Sequence, residues 1–238
     1  MELLHSSWLE IEDYLKFSDG IIIPTGSIEQ HGPIGLIGTD TLCANDIATE
    51  AAKKINALVA PALAYAPAEF NMAFAGTASI STSVYRDFCV EVFRSFERHG
   101  FEHIYIMNGH GANLDPLRDA GHTLKNASVR IKSWWDFSRV AELRSQFYDS
   151  WEGMHATPSE IAITQTKHRT LKTDLAKEPP EKLTSEFIKS HAGDKHGSAK
   201  EHKSQFPDGR VGSHSILATP EHGTHLKQAA VDALCIDY

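Results

Sequence analysis

Cysteine is scarce in this chain of 238 residues: Cys43, Cys89 and Cys235 are widely spaced and odd in number. That excludes a disulfide framework and a CxxC zinc pair, and it fits a reducing compartment. Basic residues are also few, 23 Lys+Arg against 31 Asp+Glu, for a net charge of −8 with histidine neutral. A general nucleic-acid binder carries a basic footprint, so nucleic acid is not an expected partner. Long apolar runs are missing. The Ile21-Ile22-Ile23 run falls far short of the ~20 residues of a membrane span, so no membrane contact is expected. The acidic N-terminal stretch lacks the basic start of a signal peptide, which makes the expected location cytoplasmic. Hydrophobic residues are not scarce. At 41 % they suffice for a sizeable core, and one domain over residues 1–238 is the simplest organisation. Histidine is the outlier, with 14 residues against 4 Met and 4 Trp. The arrangement of metal-ligating side chains therefore comes first.

A short β-branched run bounded by Gly and Pro predicts a strand at 20–25, and Leu58-Val-Ala60 reads as a second short strand. Alternation predicts a third at 101–107, and 129–135 is a further strand candidate. Apolar residues at helical spacing predict helices over 41–56 and 84–96, the second stopped by Gly100. Further helices are predicted after Asp115-Pro116, after Pro158 and near 183–190. Alternating strands and helices favour an α/β fold with a mostly parallel sheet. At about 177–210 the composition turns to Lys, Glu, Pro, Ser, His and Gly. That stretch is expected to be a polar surface excursion, its His191, His196 and His202 serving surface or subunit contacts.

Three segments carry chemistry. In Gly26-Ser-Ile-Glu29-Gln-His31-Gly-Pro-Ile34 through Asp40, Glu29 and His31 sit two apart at the carboxyl end of a predicted strand. They would face the same way in extended chain. Ligands collect at such strand ends in open α/β sheets. A Glu, a His and an Asp there supply mixed oxygen and nitrogen donors for a divalent metal. The plainer reading is a surface Glu29 and an Asp40 that caps the next helix. Asn108-Gly-His110-Gly repeats the logic on a second strand. In His155-Ala-Thr157-Pro-Ser-Glu160, Thr157 and Glu160 also match a capping box, so Glu160 could simply cap a helix. Trp134, Trp135 and Trp151 read as core or rim packing, or as an aromatic wall over a flat substrate; Trp151, just before His155, is the candidate substrate-binding residue.

Taken in order, Gly26-Ser-x-Glu-Gln-His-Gly-Pro, Asp40, Asn-Gly-His-Gly-x-Asn and His-Ala-x-x-x-Glu resemble the creatininase (creatinine amidohydrolase) family. Phe74-Ala-Gly-Thr77-Ala-Ser-Ile80 and the segment from Gly212 to Gly223 are similar to further family stretches. The resemblance covers about residues 20–225. It implies a three-layer α/β/α sandwich around a mostly parallel sheet, a homo-oligomer such as a hexamer, and two divalent metal ions, Zn, Mn or Fe. Residue by residue, it makes Glu29, Asp40 and His110 ligands of one ion and His31, Asp40 and Glu160 ligands of the other. Asp40 would bridge, and His155 would be the catalytic group beside the substrate. The implied activity is hydrolysis of a C–N bond in a small cyclic amide or formamide through a dimetal-activated water. A metallopeptidase acting on a specific small peptide and a catalytically silent binding paralogue are the alternatives.

Two departures bear on the substrate. Family members acting on creatinine carry a Glu where this chain has Ala112, and His31-Gly-Pro-Ile34 lacks the second His of their His-Gly-Pro-His. Ala112 instead resembles the small residue of other branches, among them formylamino-pyrimidine deformylases and the peptidase of mycofactocin maturation.

Overall fold

The structure is a computed structural model, and it describes residues 1–193 and 196–238. Four strands, β1 (Gly20–Thr25), β2 (Leu58–Val59), β3 (His103–Asn108) and β4 (Ser128–Ser133), form one parallel sheet in the order β2-β1-β3-β4. Side chains alternate across the sheet, as the twofold period of a strand requires. Ile22, Tyr105 and Met107 point to one core, and Ile21, Ile23, Ile104 and Ile106 to the other. β1 is buried along its whole length because both faces are covered.

Helices α2 (Thr39–Ile55), α5 (Ser138–Tyr148), α6 (Pro158–Gln165) and α9 (Pro220–Asp237) build the first core. On the other face lie α1 (Trp8–Tyr14), α3 (Thr82–Arg98) and α4 (Leu114–Gly121). The result is the expected α/β/α sandwich. Each fully buried Ile or Phe in these layers contributes about 1.5–3 kcal/mol. Local signals set the helix ends. Asn56 in the left-handed region closes α2, Ser81 accepts from Val84 N to open α3, and Gly100 (φ +94°) follows its end. Gly223 lets α9 cross α6 closely, since a Cβ there would strike the Ala162 carbonyl. No helix among the described residues is long and apolar enough to cross a membrane.

The polar stretch at 177–210 carries α7 (Ser185–Ser190) and α8 (Ala199–Gln205), the second beyond the single predicted helix. Part of it, Asp194 and Lys195, lies outside the described residues. α7 is largely exposed, but His202 of α8 is only 2 % exposed and packs edge-on against Phe70.

The connection after β1 enters α2 on one face, whereas that after β3 enters α4 on the other. Adjacent strands with crossovers on opposite faces leave a crevice beyond their carboxyl ends.

Candidate metal centre and its cavity

At that crevice the chain leaves β1 through Gly26–Gly38 and β3 through Gly109–Asn113. The glycines let the two loops touch: a Cβ on Gly26 would strike the Thr41 backbone, and one on Gly109 the Asp40 carbonyl. Asn108, fully buried, ties the strand ends together. Its Oδ1 accepts from Thr25 Oγ1 (3.0 Å), and its Nδ2 donates to the His110 carbonyl (2.8 Å) and Ser133 Oγ (3.1 Å).

The predicted ligand residues come together here. His31 Nε2 lies 2.8 Å from Asp40 Oδ1 and 3.9 Å from Glu160 Oε1. His110 Nδ1 lies 3.0 Å from Asp40 Oδ2 and 3.2 Å from Glu29 Oε1. Two sets of three, Glu29–Asp40–His110 and His31–Asp40–Glu160, each place their donor atoms within 4.8 Å of one another, and Asp40 belongs to both. His155 joins a third such set with Glu29 and His31. All six residues are buried. Backbone carbonyls orient the rings: His31 Nδ1 meets the Glu29 carbonyl (3.0 Å) and His110 Nε2 the Pro67 carbonyl (2.7 Å). The second nitrogen of each imidazole is thereby turned toward the carboxylates, as metal-ligating histidines require.

Glu160 combines the two readings offered for it. Its Oε1 accepts from Thr157 N and its own N–H donates to Thr157 Oγ1 (3.2 Å), completing a capping box at the start of α6. The same carboxylate faces His31 and Asp40. Capping and ligation are compatible.

The chemistry of the donor set fits divalent ions. Glu29, Asp40 and Glu160 are three carboxylates gathered out of water, a costly arrangement unless cations or protons offset it. Glu29 Oε1 is buried and has no hydrogen-bond partner among the described residues. Two imidazoles with three carboxylates suit Zn through the nitrogens and Mn through the oxygens.

The protein's own charges make the same point through titration. Burial alone would lower the pKa of His31, but Asp40, Glu160 and Glu29 outweigh it and hold it up at about 10. Burial likewise opposes the charge on His110, yet Glu29 and Asp40 raise its pKa well above the usual value. Burial lifts Glu160 to about 8, against the pull of His31. At neutral pH these three groups therefore hold protons until a cation arrives, and ligation requires neutral imidazole and ionised carboxylate. Loading chelator-stripped protein with Zn²⁺ or Mn²⁺ at pH 7 should release on the order of one proton per ion, and apparent affinity should rise from pH 6 to pH 8. Calorimetry in buffers of different ionisation enthalpy reads the proton count; metal uptake with no proton release would contradict the assigned ligands.

His155 behaves differently. Burial and the neighbouring His31 charge push its pKa well below the ordinary histidine value, so it is neutral. Its Nε2 donates to the Gln30 carbonyl at 2.7 Å, which leaves the Nδ1 lone pair toward the cluster, 3.8 Å from Glu29 Oε1. Asn71 holds the carboxylate, its Nδ2 donating to Glu29 Oε2 at 3.0 Å. The side chain of Gln30 in turn donates to Asn71 Oδ1 and to the Gly209 carbonyl. Sequence reasoning missed Asn71, because a lone Asn shortly before Phe74-Ala-Gly-Thr77 carries no periodic or spacing signal.

A cavity of about 300 Å³ opens onto the cluster. Trp134, Trp135 and Arg144 line it, and Ile188, Ala192 and Gly193 bring the polar excursion to its wall. Trp151 lies outside that lining; it packs against His214 and beneath the Lys182 ammonium, 4.3 Å from its ring centre.

A parallel three-layer sandwich with a carboxylate–histidine cluster at its switch point defines an α/β protein with a candidate metal centre, and the comparisons narrow it. The sequence matches the creatininase (creatinine amidohydrolase) family over residues 4–236, and the chain belongs to that family. It is 28 % identical to creatinine amidohydrolase of Pseudomonas putida over 178 residues, 66 % of this chain and 68 % of that protein. It is also 35 % identical to the mycofactocin precursor peptide peptidase of Mycobacterium tuberculosis over 127 residues, covering 49 % and 50 %. A crystal structure of creatinine amidohydrolase superposes with a TM-score of 0.80 at 20 % identity, covering 99 % of this chain and 95 % of that one. A second, described as Creatininase Mn, gives 0.75 at 20 % identity, covering 99 % and 96 %. A third, a creatininase variant of Zn-Zn type, also gives 0.75 at 20 %, with the same coverage. The fold is thus that of creatininases.

Proposed function

We propose that this protein is a dimetal amidohydrolase that cleaves the C–N bond of a small cyclic amide or formamide. The single observation that carries this reading is the pair of buried ligand triads that share Asp40. Glu29, Asp40 and His110 would hold one ion, and His31, Asp40 and Glu160 the other. When bound, the ions supply Lewis acidity that polarises the amide carbonyl and makes the attacking water more acidic. The residues do the rest. Neutral His155, anchored by its Nε2–H on Gln30, offers Nδ1 as the base that takes the proton of the water. It then returns that proton to the leaving nitrogen, which a poor amine leaving group requires. Asn71 holds Glu29, and Gln30, which donates to Asn71 and accepts from His155, fixes the two groups relative to each other.

Creatinine is not the substrate in this reading, because Ala112 offers no carboxylate in the turn Gly111–Asn113. The resemblance to the mycofactocin peptidases supports a peptide as the second reading. The cavity of about 300 Å³ lies at the small end of ligand sites and favours a small molecule. Exposed apolar side chains at Leu4, Trp8, Leu9 and Phe17 support a homo-oligomer, and the composition supports a cytoplasmic location.

Elemental analysis of reconstituted protein, followed by hydrolysis assays on formamides, lactams, short peptides and creatinine, tests this reading. Two ions per chain and turnover of a formamide or lactam are expected, with creatinine turnover well below the ~1 s⁻¹ typical of enzymes. At most one tightly held ion, or brisk turnover of creatinine, would overturn it.

A further inference from the structure

We propose that Arg144 makes this site selective for amides that carry a carboxylate, an inference that rests on the cavity's being the substrate site. Arg144 projects from α5 into the cavity wall that also holds Glu29, Asp40, His110 and Glu160. Its side chain is 23 % exposed, and its Nε donates to Glu152 Oε1 at 2.9 Å. The guanidinium carbon lies 5.7 Å from the ring centre of Trp134, whose face steadies the cation. Nη1 and Nη2 have no hydrogen-bond partner among the described residues.

The plain alternative is that Arg144 only neutralises Glu152, which is 9 % exposed. The geometry argues against it. A guanidinium paired with a carboxylate frequently closes two parallel N–H···O bonds. Here Glu152 engages a single N–H of Arg144, takes its other hydrogen bond from Ser159, and leaves Oε2 buried without a partner. The contact fixes the guanidinium by its inner nitrogen, and the outer edge meets no partner among the described residues. That edge is two N–H groups in one plane, the match for the two oxygens of a carboxylate.

Charge balance points the same way. Two divalent ions bring four positive charges against the three carboxylates Glu29, Asp40 and Glu160, while Glu152 and Arg144 cancel. The loaded cavity is therefore net positive and favours an anionic substrate. Such a substrate would place its amide on the ions and its carboxylate on Arg144, with Trp134 and Trp135 along the apolar part between.

N-formylglycine and the nearly isosteric neutral N-formylglycinamide test this by calorimetry on the metal-loaded protein, independently of turnover. A preference for the acid of roughly 10- to 100-fold is expected, the range of a hydrogen bond between charged groups. Arg144→Met should reduce that preference to within about threefold, with two ions still bound. Arg144→Met leaves Glu152 unpaired, so the double variant with Glu152→Gln provides the same test with no buried charge left over; Arg144→Lys should retain part of the preference. A preference that survives Arg144→Met and the double variant means that the ions read the carboxylate, and it overturns the proposal. Equal binding of both probes, or of neither, by the unaltered protein overturns it too. Failure of the hydrolytic reading would show separately, as a deficit of metal or of turnover across the amide panel.

Discussion

Asp40→Asn is expected to leave a folded protein that holds neither ion firmly and loses amide hydrolysis by on the order of 10³-fold or more. Asp40 alone is common to the Glu29–Asp40–His110 and His31–Asp40–Glu160 triads. Asp40 Oδ1 faces His31 at 2.8 Å, and Oδ2 faces His110 at 3.0 Å while accepting from Ser27 Oγ at 2.9 Å. An amide of the same shape brings no negative charge and turns one ligand atom into a donor. Folding should suffer less than these contacts suggest. Breaking a buried ion pair costs about 3–5 kcal/mol when the remaining charge cannot escape. His31 can escape by losing its proton, because its pKa of about 10 is held up by Asp40 and would fall once that charge is gone. Elemental analysis after reconstitution, together with thermal unfolding of the chelator-treated proteins, separates the two effects. A substituted protein that still binds two ions would show that Asp40 is not shared.

Glu160→Gln should abolish one metal and the activity while sparing the fold. Glutamine reaches back to Thr157 N as well as glutamate does, so the capping box survives within a few tenths of a kcal/mol. Without metal, Glu160 is largely protonated at neutral pH, its pKa being near 8, and glutamine mimics that neutral form. A divalent ion meets the opposite situation, because it needs the charged oxygen. Thr157→Ala should do the reverse. It removes the hydroxyl that accepts from Glu160 N, costing about 1 kcal/mol, and leaves the carboxylate and the metal count intact. If Glu160→Gln retained two ions and full turnover, the residue would be a cap alone and the second site would need another ligand.

The candidate cluster was legible in the sequence because most of it is local. Glu29 and His31 follow β1 directly, His110 follows β3, and Glu160 sits in a first helical turn announced by Thr157 and Pro158. A parallel sheet gathers strand ends at one edge, so motifs at those ends become neighbours whatever the intervening chain does. The helix over Thr39–Ile55 and the strand around Ile106 were legible from their periods, and the strand around Ile22 from a short β-branched run between Gly and Pro.

The cavity was not legible, because its other wall comes from segments that meet only through packing. Arg144 reads in sequence as one more charged residue on an amphipathic helix, and nothing nearby announces Glu152 as its partner. His202, in a stretch whose composition belongs to the surface, is buried because α8 packs against Phe70, 132 positions earlier in the numbering. Glu160 needed both levels. Its spacing from Thr157 determined that it could cap, but only the fold, by bringing α6 against the loop after β1, set the same carboxylate before His31 and Asp40. By itself the sequence determined the sheet, its flanking helices and the donor atoms at the strand ends, where chemistry and local geometry coincide. Tertiary packing alone decided which side chains complete the cavity, since those contacts join residues far apart in the chain whose local patterns carry no trace of one another.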